Sequence, residues 1–135
     1  MLNILDDLKR EEGFSSTPYE DTNGFLTVGY GTKIDKISYG LAECMLEYML
    51  NEKREELLKR RPIMEMMPDE VQNILFQMAY QMGVEGLLGF KYMWKALALG
   101  DYEEASDEML DSKWAKHDSP SRAKRLAERM KDVNR

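Results

Sequence analysis

Apolar residues recur along this chain at two different spacings, and the change between them occurs early. Leu2, Leu5 and Leu8, with Ile4, form a helical stripe from about Leu2 to Glu11, and Gly13 is placed to end it as a C′ residue. The run "FLTVGY" then alternates, with Leu26, Val28 and Tyr30 on one face and Phe25, Thr27 and Gly29 on the other. That is the pattern of a half-buried strand. Pro18, Asn23 and Gly24 punctuate a hairpin region, and Gly31 closes it. Ser38 is placed to cap a long helix through "YGLAECMLEYMLNEKREELLKRR". Its apolar positions Leu41, Met45, Tyr48, Met49 and Leu57 keep helical spacing only roughly. A helix of about twenty residues spans ~30 Å, enough to bridge two lobes.

From Pro62 onward the pattern is helical. Pro68 suits the first turn of "PDEVQNILFQMAYQMG", with Asp69 and Glu70 at its positive end and Gly83 stopping it. A short turn through "VEGLLG" leads to "FKYMWKALALG". Asp101 and Glu104 form a D-x-x-E cap for the next helix, and Ser119 and Pro120 start the last one. The eleven methionines are expected to fill gaps in a helical core.

Composition narrows the classes of function. A chain of 135 residues suffices for one domain with a sizeable core, and no apolar run approaches the length of a membrane span. The N-terminal "MLNILDDLKREE" is acidic where a secretory signal is basic, so a cytoplasmic location is expected. Cys44 is the only cysteine and His117 the only histidine, so neither a disulfide nor a Cys/His metal site is expected; with no glycine-rich phosphate loop, no cofactor is expected either. The net charge of −6 argues against generic nucleic-acid binding. The charge is uneven: "DYEEASDEML" is strongly acidic, whereas Lys113 to Arg135 is rich in Lys and Arg.

The segment "EEGFSSTPYEDTNGFLTVGYGT", Glu11 to Thr32, carries the candidate chemistry. Glu12 lies at the C-terminal end of the first helix, where the helix dipole disfavours a second negative charge and so favours the proton a general acid needs. An exposed glutamate beside a C-cap glycine is the plainer reading. The hairpin register bears on Asp21. With a two-residue Asn23-Gly24 turn, Glu20 pairs with Thr27 and Asp21 faces the opposite side. With a three-residue loop, Thr22 to Gly24, Asp21 pairs with Phe25 and Tyr19 with Thr27. Asp21 and Thr27 then share a face as diagonal neighbours ~7 Å apart, a gap that holds one water. A carboxylate and a hydroxyl holding a water, opposite a protonated glutamate, is what an inverting glycosidase requires. A turn-forming aspartate explains Asp21 equally well, and spacing does not decide between them.

Glu12, eight residues, Asp21, five residues, Thr27, within "EEG…YEDTNGFLTVGYG", resembles the catalytic signature of phage-type lysozymes, glycoside hydrolase family 24, most closely their T-even branch. "FQMAYQMGVEGLLGF", "YEEA" and "SKWAKHDSPSRAKR" resemble, in order, the helical lobe of that branch. The resemblance implies that Glu12 is the general acid and that Asp21 and Thr27 position the attacking water. It implies that Tyr80 and Gln81 line the substrate cleft, and that Arg122 matches the arginine pairing with the catalytic glutamate. It extends to Lys33 as a sugar contact. Thr32 stands where the family commonly has a histidine after "GYG". The short connection from Gly31 to the long helix leads us to expect a small lobe reduced to about one hairpin.

The expected fold is α+β and mostly α, a two-lobed lysozyme fold. A small β-containing lobe covers about residues 13–58, and a helical lobe covers about 1–12 plus 59–135. The expected activity is hydrolysis of the β-1,4 bond between N-acetylmuramic acid and N-acetylglucosamine in bacterial peptidoglycan, for lysis of a host cell. A monomer is expected, without nucleic acid, stable membrane association or metal, reaching the wall from the host cytoplasm through a separate pore. The alternative is a lysozyme-like module that binds peptidoglycan or a protein without cleaving; a lytic transglycosylase is a third reading.

Overall fold

A computed structural model describes residues 3–134. The chain divides into two compact units, residues 1–45 and 46–135, and the boundary falls inside one long helix. The fold is α+β and predominantly helical, with one small antiparallel sheet, as the hydrophobic pattern predicts.

In the first unit, helix α1 spans Ile4–Glu12. Asn3 caps it, its side chain accepting from Asp6 N at 3.2 Å, and Gly13, at φ 69°, donates its N–H to Lys9 O. The helix thus starts and ends by local chemistry, and the expected stripe holds at Ile4, Leu5 and Leu8, while Leu2 lies outside the described residues. Strands β1 (Ser15–Glu20), β2 (Leu26–Gly29) and β3 (Thr32–Lys33) form a sheet in the order β1-β2-β3. The register slips between Ser15 and Tyr19, where Pro18 has no N–H to give to a ladder and β1 is an edge strand.

The third strand corrects the expectation of a single hairpin. Gly29 and Gly31, at φ 67° and 74°, turn the chain back so that Thr32 pairs with Val28 and Lys33 with Thr27. Two glycines flanking one tyrosine allow a reversal that side chains with a Cβ would resist.

Helix α2 spans Tyr39–Arg60, and Ser38 caps it as expected, its Oγ accepting from Leu41 N at 3.2 Å. In the second unit, a 3₁₀ turn over Pro62–Met66 leads into helix α3, Asp69–Leu88. Gly83 (φ 82°, ψ 160°) kinks α3, so the expected stop at Gly83 is a bend and the expected turn "VEGLLG" is largely one more helical stretch. Helices α4 (Lys91–Ala98), α5 (Tyr102–Leu110) and α6 (Pro120–Lys131) follow. Asp101 caps α5 through Glu104 N at 3.0 Å.

The core of this unit follows from its spacing. Val71, Ile74, Leu75 and Met78 of α3 are fully buried at i, i+3, i+4 and i+7. Met93, Met109 and Met130 meet them from α4, α5 and α6, and Met64 and Leu57 close the cluster, so methionine does fill the helical core. Helix α5 packs mainly on α4 and α6. Ser106 Oγ there donates to Ala127 O at 2.7 Å, which satisfies a buried hydroxyl.

Candidate active site

The tip of the hairpin takes the three-residue form. Gly24 has φ 82°, Asp21 N donates to Phe25 O at 2.9 Å, and Gly24 N donates to Asp21 O at 3.0 Å. The Asp21 side chain takes part as well: its Oδ1 accepts from Asn23 N and from Phe25 N, each at 2.9 Å. Asp21 is therefore a turn-forming aspartate, and that reading is compatible with a catalytic one because only Oδ1 is committed.

The register follows from that loop. Tyr19 opposes Thr27 and Glu20 opposes Leu26, so Asp21 continues the ladder opposite Phe25. Side chains alternate along a strand, which brings Asp21 and Thr27 to one face of the sheet. The two-residue alternative, with Glu20 opposite Thr27, is excluded. Thr27 is only 3% exposed, and its Oγ1 donates to Phe25 O at 2.9 Å. The hydroxyl proton is thus spent inside the hairpin, leaving the oxygen as an acceptor.

Glu12 is the last residue of α1 and is exposed. Its carboxyl lies against Gly31: a Cβ built there would fall on Glu12 Oε2 and 3.0 Å from Cδ. The intervening Tyr30 packs its ring 5.3 Å from that of Phe14, with Lys9 Nζ 5.8 Å from the same ring. Lys33 opposes Thr27 and so emerges on the Asp21–Thr27 face, where its Nζ lies 4.2 Å from the Phe25 ring centroid, a cation–π distance.

Tyr80, Gln81 and Arg122 belong to the second unit. Tyr80 is half-buried and Gln81 exposed, just before the kink of α3, and Arg122 is half-buried in the first turn of α6. Gln81 has partners already. Its Oε1 accepts from Trp114 Nε1 at 3.0 Å and its Nε2 donates to Ser119 Oγ at 2.5 Å. Ser119 caps no helix with its side chain; its Oγ accepts from Gln81 instead. One N–H and one lone pair remain on the amide. Trp114 opens a π-helical turn over Trp114–Asp118 that no periodicity announced. Trp114 is marked by no periodicity, and Gly31 is marked in the sequence only as the close of the hairpin region, not as a neighbour of Glu12. The signals for them, an isolated tryptophan in "SKWAKHD" and the second glycine of "GYG", are visible only in retrospect.

Two carboxyls outside these residues titrate away from their ordinary values. A hydrogen bond to Glu108 pushes Glu104 up, assisted by the neighbouring acids, and a hydrogen bond to Lys116 at 2.8 Å holds Asp111 down. Among the described residues, no group of three His, Cys, Asp or Glu side chains is placed to hold a metal ion.

The family model for phage lysozyme matches residues 9–132. A curated relative from Dictyostelium discoideum, described as "Probable T4-type lysozyme 1", is 28% identical over a 155-residue alignment that covers 92% of this chain and 91% of the relative. The match embraces α1 from Lys9, the sheet and nearly all of the helical unit, so the chain belongs to the phage lysozyme family.

Proposed function

We propose that this chain hydrolyses the β-1,4 bond between N-acetylmuramic acid and N-acetylglucosamine in bacterial peptidoglycan, with inversion at the anomeric carbon. The observation that carries the proposal is the division of labour on the hairpin face. Asp21 commits Oδ1 to two backbone N–H groups, and Thr27 commits its proton to Phe25 O. Asp21 Oδ2 and the Thr27 oxygen remain as two acceptors on one face. A water between them donates one hydrogen to each and turns a lone pair towards the sugar. The low exposure of Thr27 suits contact with one water rather than bulk solvent.

In the proposed reaction Glu12 gives its proton to the glycosidic oxygen as the bond to the anomeric carbon breaks. The water oxygen bonds to that carbon and its proton passes to Asp21. Inversion requires the two carboxyls to stand roughly 6.5–9.5 Å apart when substrate is bound. Arg122, Tyr80, Gln81 and Lys33 keep the substrate-binding roles that family membership suggests, Gln81 through its remaining N–H. Lysis of a bacterial host is the biological outcome we assign, since cutting this bond weakens the wall against turgor.

The test is release of reducing ends from purified peptidoglycan by wild type and Glu12→Gln at matched concentration. General acid catalysis contributes about 10²–10⁴-fold, so the variant should fall by that factor while still binding the wall. Equal release would remove Glu12 from the mechanism. No release from either, with binding intact, favours the non-cleaving module, and 1,6-anhydro ends favour a transglycosylase. Nuclear magnetic resonance of the first-formed product should show the α anomer; the β anomer appearing first overturns inversion.

A further inference from the structure

We infer that Gly31 is a positioning residue for the general acid, its missing side chain forming the seat of the Glu12 carboxyl. The inference rests on Glu12 acting as the acid. Three glycines of the first unit, Gly24, Gly29 and Gly31, share a left-handed backbone, with φ of 82°, 67° and 74°. All three are needed for turning the chain. They differ in what a side chain would meet. A Cβ at Gly24 or Gly29 has nothing within 4 Å. A Cβ at Gly31 would overlap Glu12 Oε2 and approach Cδ to 3.0 Å and Cγ to 3.4 Å. Gly31 therefore meets two requirements, one of backbone and one of space, whereas Gly29 two residues earlier meets only the first.

The turn is anchored where it needs to be. Tyr30, between the two glycines, packs its ring at a tilt of 49° against Phe14 and receives Lys9, and these two residues bracket Glu12 at the end of α1. Tyr30 fixes the turn against the helix end, and Gly31 leaves the space that the carboxyl fills. The atoms in conflict with a Cβ are the far end of a flexible side chain. A methyl group at residue 31 would thus swing the carboxyl aside at little expense in stability. Catalysis is less tolerant, because a misplacement of about 1 Å can cost on the order of 10²-fold in rate.

The experiment compares Gly31→Ala with Gly29→Ala. Both bear the same left-handed strain, so their melting temperatures should fall alike, but only Gly31→Ala should lose kcat, by at least about tenfold relative to Gly29→Ala. KM should stay within about twofold, since the sugar contacts are untouched. In a Glu12→Gln background, Gly31→Ala should add no further loss, because the group it displaces no longer donates a proton. The pair Gly31→Asn and Gly29→Asn repeats the comparison with a residue that tolerates left-handed backbone, should the alanine variants fold poorly. Equal kcat for the residue-31 and residue-29 variants overturns the inference, as does a full additional loss in the Glu12→Gln background. A Glu12→Gln protein with wild-type kcat removes the acid role itself, a failure read separately from that of Gly31.

Discussion

The two units are ordered by different physics. Among residues 3–45 the one buried residue is Thr27, and its hydroxyl is bonded to Phe25 O. Direction there is set by turn chemistry: Asp21 bonding its own loop, and glycines at Gly13, Gly24, Gly29 and Gly31 with positive φ. In residues 46–135 the helices meet through fully buried Leu57, Ile74, Leu75, Met78, Met109 and Met130, and positive-φ glycines are confined to Gly83 and Gly100. The candidate water-holding residues Asp21 and Thr27 therefore sit where hydrogen bonds to backbone groups aim their side chains, and the candidate acid Glu12 sits with its carboxyl against Gly31. The apolar cluster supplies a scaffold whose helices follow from burial.

The sharpest contrast comes from a truncation in the second unit. Leu75→Ala removes a fully buried side chain and should lower the unfolding free energy by about 2–5 kcal/mol, measured by urea denaturation, with kcat of the folded fraction nearly unchanged. A loss below about 1 kcal/mol would show that this cluster is not the stabilising core.

The hairpin should respond in the opposite way. Asp21→Ala leaves Asn23 N and Phe25 N without their side-chain acceptor and should cost about 0.5–2 kcal/mol, as loss of a comparable cap does. Asp21→Asn retains an acceptor oxygen and should stay within about 0.5 kcal/mol of wild type. Both should abolish wall lysis in a turbidity assay on permeabilised bacteria. Full activity in Asp21→Asn would end the role of Asp21 as base, and equal destabilisation by Asn and Ala would end its role as turn acceptor.

The smallest effect belongs to exposed charge on the second unit. Asp111 has its pKa lowered by Lys116, so the pair adds stability above the unfolded carboxyl value and loses it as pH falls through the folded one. Glu104 has the opposite sign. Raised by Glu108, it favours the fold below the unfolded value and loses that contribution as pH rises through the folded one. Both are exposed, so salt screens them and thermal stability should barely register either. A carboxyl titration by nuclear magnetic resonance resolves them: Lys116→Met should return Asp111 upward, and Glu108→Gln should return Glu104 downward. Failure of either to move would remove the hydrogen bond as its cause.

Much of this was legible in the chain because the signals are local. Ser38, Asp101 and Gly13 mark helix ends through bonds spanning three or four residues, and the i, i+3, i+4 pattern of α3 states which face is buried. The hairpin was half legible. "EDTNGF" allows two loops with opposite consequences for Asp21. The choice rests on where Phe25 N finds its acceptor, and that acceptor is a side chain rather than the backbone.

What only the tertiary structure decided are contacts between residues far apart in sequence. Gly31 gains its meaning from Glu12, nineteen positions earlier by number. The Trp114–Gln81–Ser119 chain joins α3 to the entry of α6 over more than thirty residues. Turn preferences and amphipathic period are properties of a short stretch and survive in any context. A glycine that makes room, or an amide already spoken for, is defined by a neighbour that only the folded chain supplies.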